Sequence, residues 1–86
     1  MNKMTIGGKT FRFIGEAYLS CRLFCGCFND AKEGEHYESE WECFAEDEAG
    51  DEWVIRWRFT VIKGDEPADD NLPFDDEAYV TDVSAA

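Results

Sequence analysis

The run "HYESEWECFAEDEAGDEWVIRWRFTVI", residues 36 to 62, constrains the fold more than any other part of this chain. Tyr37, Ser39, Trp41, Cys43 and Ala45 recur at every second position, with Glu38, Glu40, Glu42 and Glu46 between them and Phe44 the exception. Past "EDEAGDE" the alternation resumes. Trp53, Ile55, Trp57, Phe59 and Val61 take one face, and Val54, Arg56, Arg58, Thr60 and Ile62 take the other. Side chains with a period of two lie on opposite faces of a strand, and two such runs about a Gly-containing turn form a hairpin. If positions facing each other across it sum to 98, Trp41 meets Trp57, Cys43 meets Ile55 and Ser39 meets Phe59. On the other face Glu42 meets Arg56, Glu40 meets Arg58 and Phe44 meets Val54. A shift of the sum by two keeps the faces intact, whereas a slip of one residue mixes them.

The flanking segments fit the same architecture. Gly7-Gly8 lies between short β-branched or apolar segments, as a two-residue hairpin loop requires. The arm after it puts Phe11 and Phe13 on one side, Arg12 and Ile14 on the other. "EAYLSCRLFCGCF" satisfies both periods: a strand with Leu19, Cys21 and Leu23 on one face, or a helix with Ala17, Cys21 and Cys25 aligned and Gly26 as its stop. The strand is preferred, followed by a turn at "NDAKEGE". Residues 63–77 hold seven acids, two prolines and Gly64 without a usable period. They read as an acidic loop that Leu72 and Phe74 tack onto the body of the domain. "AYVTDV", 78–83, reads as a closing strand. The expectation is a single domain over 1–86, mainly β, an antiparallel sheet of about five strands built on hairpins; a short helix in 17–27 is the α+β alternative. The expected core is Phe11, Phe13, Leu19, Leu23, Trp41, Trp53, Ile55, Trp57, Phe59, Val61 and Val80, with Trp41 and Trp57 its most buried pair.

Length sets limits on this core, because a chain of 86 residues buries a smaller share of its surface than a larger domain does. No apolar run is long enough for a transmembrane helix, and "MNKMTIGGKT" lacks an apolar stretch of signal-peptide length. The expected location is the cytoplasm, where thiols stay reduced, and the host-cell cytoplasm if the chain is phage-encoded.

The four cysteines provide the first candidate for chemistry. Cys21, Cys25, Cys27 and Cys43 have the softness for tetrahedral zinc, but their spacing, C-x3-C-x-C-x15-C, contains no C-x2-C knuckle. Three of them would share a strand face with Leu19 and Leu23, where free cysteine acts as a small buried hydrophobe. Core filling is therefore the preferred reading, and a zinc-stabilised module built on these four is the alternative. Thiol catalysis needs a base, and nothing brings the lone His36 to a cysteine. Acid–base chemistry needs a carboxyl with a raised pKa, while Glu38, Glu40 and Glu42 lie on a polar face opposite arginines. "DEPADDNLPFDDE" lacks the calcium-loop rhythm. The chain is expected to be neither an enzyme nor a cofactor carrier.

Charge remains. Twenty acidic residues against eight basic ones give −12, and the excess is lopsided. Residues 1–29 carry Lys3, Lys9, Arg12 and Arg22 against Glu16, a net +3, and residues 30–86 carry nineteen acids against four bases, a net −15. Such a field repels phosphates and anionic lipid, so direct binding to nucleic acid or membrane is not expected, and a basic protein is the partner it favours. Because Arg56 and Arg58 offset Glu42 and Glu40 across the hairpin, the uncompensated charge falls in the turn and the loop. The candidate partner-binding residues are Glu46, Asp47, Glu48, Asp51 and Glu52, with Asp65, Glu66, Asp69, Asp70, Asp75 and Asp76.

With runs such as "EDEAGDE" and "DEPADD", its length and its −12 charge, the whole chain resembles the small acidic inhibitors that phages and mobile elements encode against host nucleases. That class includes DNA mimics and some anti-CRISPR proteins. The resemblance implies a basic protein partner, typically the nucleic-acid groove of an effector such as a CRISPR or restriction nuclease. An acidic accessory subunit of a larger assembly is a further alternative, and a homodimer through an exposed strand edge stays open.

Overall fold

The computed structural model describes residues 3–23 and 32–86, with the backbone alone at 21–23 and 69. Five strands, β1 (Lys3–Ile6), β2 (Lys9–Leu23), β3 (His36–Asp47), β4 (Glu52–Ile62) and β5 (Val80–Ala85), form one curled antiparallel sheet in sequential order. Two short 3-10 turns, Asp69–Asn71 and Glu77–Tyr79, interrupt the segment between β4 and β5. Among the described residues no helix is long and apolar enough to cross a membrane.

The central hairpin has the register that the alternation and charge pattern imply. Every β3–β4 partner pair, from His36 with Ile62 to Glu46 with Glu52, sums to 98. On the inner face Tyr37, Ser39, Trp41, Cys43 and Ala45 are buried against Ile55, Trp57, Phe59 and Val61. The β1–β2 turn is also as the sequence implies. Ile6 pairs with Lys9, and Gly7 and Gly8 take φ of 58° and 83°, the pair of positive values that a two-residue hairpin turn needs.

A single sheet buries one face only if something covers it. Here segment 63–79 supplies that cover, and Leu72 and Phe74 pack on the core from above. Phe74 is the centre of the contact, with its ring edge-on to Trp41, Trp57 and Phe59 at centroid distances of 5.6, 5.1 and 5.2 Å. Its carbonyl accepts a 2.9 Å hydrogen bond from Trp57 Nε1, which satisfies the one polar atom of a fully buried indole. The Gly7 amide donates to a Glu77 carboxylate oxygen at 2.8 Å and ties the first turn to the segment ahead of β5.

Residues 17–23 are strand, the preferred reading, so the helix alternative fails there, and 24–27 lie outside the described residues. Two details differ from the sequence reading. The closing strand starts at Val80 and runs to Ala85, because Glu77–Tyr79 is capped by Asp76 as a 3-10 turn. Met4, Tyr37, Cys43 and Ala45 join the expected core; Phe13, Leu19, Trp53 and Val80 pack at its margin.

Candidate functional site

β2 determines the shape of the inner surface. Its pairing with β3 runs regularly from Phe11–Asp47 to Ile14–Phe44 and resumes at Tyr18–Glu42. Gly15, Glu16 and Ala17 thus span a gap in which β3 places only Cys43, and Gly15 takes φ of 81°. Extra residues on one strand make a bulge, which bends the strand and re-aims its side chains. Gly15, Ala17 and Cys43 are all small, so the bulge leaves open space between β2 and the covering segment.

That space forms two adjoining clefts that share Ala17 and Leu72. One, about 610 Å³, is lined by Tyr37, Ser39, Trp41 and Val61, with Glu66 and Pro67 on the opposite wall. The other, about 570 Å³, has Phe13, Cys43, Trp57 and Phe74 beneath Glu16, Asp70 and Asp75. Both have aromatic side chains in their lining, and the second has three carboxylates against one in the first.

The two acidic segments do not behave alike. Asp47 faces inward, with its side chain only 7% exposed. One carboxylate oxygen accepts from the Ala49 and Asp51 amides at 2.9 and 3.0 Å. The other accepts from Trp53 Nε1 at 3.0 Å and lies 3.6 Å from Lys9 Nζ. The Trp53 hydrogen bond, then the backbone amides and Lys9, hold this carboxyl below the usual aspartate range, against the opposing effect of its burial. Asp47 is therefore a latch within its own turn, with both carboxylate oxygens engaged inside the chain. Glu46 is ion-paired with Arg12. Glu66 accepts from the Tyr37 hydroxyl at 2.6 Å and from the Gly64 amide at 3.0 Å. Asp76 accepts from the Ala78 amide at 2.9 Å.

On the outer face the expected compensation is present. Arg56 lies 3.2 Å from Glu42 and 2.8 Å from Asp82, and Arg58 lies 3.4 Å from Glu40. Glu48, Asp51, Glu52, Asp65, Asp70 and Asp75 are exposed, and among the described residues no basic side chain lies within ion-pair distance of them; the side chain of Asp69 lies outside the described part.

No protein-family model, curated protein or solved structure matches this chain. Its chemistry has to be read from its own geometry. Among the described residues no three His, Cys, Asp or Glu side chains converge as a metal site requires. Of the four cysteines, Cys25 and Cys27 lie outside the described residues, and Cys21 stands in register with Glu40 beyond a second bulge. Cys43 is buried, its thiol donates to the Phe44 carbonyl at 3.3 Å, and burial pushes its pKa up to about 11. A metal ligand must be a thiolate, so this environment works against Cys43 in that role.

The clefts were not foreseen from the sequence, although one signal was available. An isolated glycine inside a strand pattern marks a bulge, and Gly15 interrupts an otherwise apolar and aromatic run.

Proposed function

We propose that this protein is a non-catalytic binding protein that docks its acidic turn and covering segment on a basic protein surface. It would act there as an inhibitor of a nucleic-acid-binding effector, such as a CRISPR or restriction nuclease. One observation carries the reading. Ion pairs occupy Glu40, Glu42, Glu46 and Asp82 on the outer face and hydrogen bonds occupy Asp47, whereas Glu48, Asp51, Glu52, Asp65, Asp70 and Asp75 are exposed without an ion pair among the described residues. These six lie on a short turn and on a segment anchored by Phe74, so the charge is held in place before a partner arrives. Preorganised charge of one sign speeds encounter with an oppositely charged surface and loses little freedom on binding.

The test is salt-dependent capture. Immobilised protein should retain a basic, nucleic-acid-binding partner at low ionic strength and release it steeply as added salt shortens the Debye length to a few ångströms. Oligonucleotide should compete for the same partner. Retention that is indifferent to salt, or a partner that keeps its nucleic acid while bound, would overturn the proposal.

A further inference from the structure

The smaller cleft has a composition that fits a particular ligand chemistry. Its floor is apolar and aromatic, made by Phe13, Cys43, Trp57 and Phe74. Its walls include Gly15, which has no side chain, and Ala17, which has only a methyl group, and both keep it open. Its rim carries Glu16, Asp70 and Asp75, all exposed and none with a basic side chain in ion-pair range among the described residues. A volume of about 570 Å³ lies within the range of sites that take small ligands or peptide side chains.

An apolar neutral ligand would leave three carboxylates to be desolvated without compensation, and an anion would be repelled by them. A long aliphatic stem ending in a cation matches both layers. The stem covers apolar surface, the cation meets the carboxylates, and aromatic faces attract the cation further. The fold already makes this arrangement once within itself. Lys9 Nζ sits 4.5 Å from the centroid of the Trp53 ring and 3.6 Å from the Asp47 carboxylate.

We propose that the cleft between the β2 bulge and the covering segment is a peptide-binding site that takes an arginine or lysine side chain of a basic protein. The stem lies on Phe13 and Phe74, and the cation lies among Glu16, Asp70 and Asp75. The inference rests on the acidic-docking reading for the sign of its partner, and it adds a defined pocket to a surface otherwise described by charge alone.

The probe is a hexa-arginine peptide, followed by the protein's own tryptophan fluorescence because Trp57 lines the cleft. Hexa-citrulline, its uncharged isostere, is the control. Hexa-arginine should bind saturably at low salt and hexa-citrulline should not. Ala17→Phe fills the cleft without changing charge and should weaken binding about tenfold, the loss of about 1.4 kcal/mol expected when one stacked cation is displaced. The double variant Asp70→Asn/Asp75→Asn should weaken it at least as much. Glu48→Gln/Asp51→Asn, which removes the same charge from the distant turn, should shift it less than about threefold, the share left to screened long-range attraction.

Equal weakening by the two double variants, with Ala17→Phe binding like the parent, would overturn the cleft while leaving acidic docking intact. Tight binding of hexa-citrulline would make the site a merely apolar groove and overturn the assignment of a cation. If hexa-arginine does not bind even at low salt, the cleft and the docking reading both fall. Circular dichroism checks that each variant is folded, and if Ala17→Phe is not, the comparison of the two charge-matched variants decides.

Discussion

Phe74→Ala should do more damage than its position in an acidic, proline-containing segment would imply. The ring sits edge-on to Trp41, Trp57 and Phe59, with interplanar angles of 74°, 84° and 87°. Truncating a well-packed phenylalanine costs about 3–5 kcal/mol, part of it in edge-to-face contacts of about 0.5–1.5 kcal/mol each. Phe74 is half-buried, so the low end, about 3 kcal/mol, is the appropriate figure. If the segment lifts away, Trp57 Nε1 also loses the Phe74 carbonyl, and an unpaired buried donor costs about 1–3 kcal/mol more. Against a total of about 4–13 kcal/mol for a chain of this length, that is a large fraction. Urea unfolding followed by tryptophan fluorescence should show the loss, and a thermal melt should fall by more than about 10 °C. Limited proteolysis should open 63–79 in Phe74→Ala and spare it in Phe74→Leu. A cost below about 1 kcal/mol, with the proteolytic pattern unchanged, would refute the claim that Phe74 anchors the second layer of this fold.

Two further outcomes follow from the same contacts. Asp47 has a folded-state pKa below its unfolded one, so the stability it contributes is present above the unfolded value and is lost as pH falls through the folded value; Asp47→Asn should melt lower than the parent at pH 7, and the gap should close as pH falls below about 4. Cys43, buried and with its pKa raised to about 11, should resist alkylation at pH 8 in the native protein and react once urea unfolds it; rapid native-state labelling of the Cys43 peptide, read by mass spectrometry, would show that the inner face opens without global unfolding.

The central hairpin was legible because two independent patterns agree on it. Apolar alternation fixes which residues face inward, and the opposition of Glu42 to Arg56 and Glu40 to Arg58 favours one register among those that parity allows. β2 had no second pattern. Both of its faces are apolar over 17–23, and a bulge that adds residues to one strand breaks the alternation on which a parity argument depends. The same limit applies at β5. Asp82 pairs with Arg56 and Val80 with Trp57, and the irregularity at Thr81 lets Val80 and Val83, three positions apart, both pack on the core. The acidic segments looked equivalent as strings of letters. Only three-dimensional placement separates Asp47, which holds four polar neighbours, from Asp70 and Asp75, which hold a cleft rim.

The charge that supports the proposed function and the core that supports the fold are therefore not separable. A one-layer sheet with Trp41, Trp57 and Phe59 on its inner face needs a second layer, and the chain supplies one in the segment that also carries Asp65, Asp70 and Asp75. Six acids between Asp65 and Asp76 repel one another, and an unanchored segment of that composition would remain disordered. Leu72 and Phe74 overcome that tendency by burying apolar surface, the Trp57 bond fixes the backbone beside them, and Asp76 caps the turn that follows. The rim of the cleft is consequently tied to the core beneath it. A substitution that loosens Phe74 should then weaken capture of a basic partner even though it removes no charge, whereas one that neutralises Asp70 and Asp75 should weaken capture and raise stability by relieving repulsion. These opposite effects on stability, with the same effect on binding, distinguish a preorganised acidic surface from a merely acidic one.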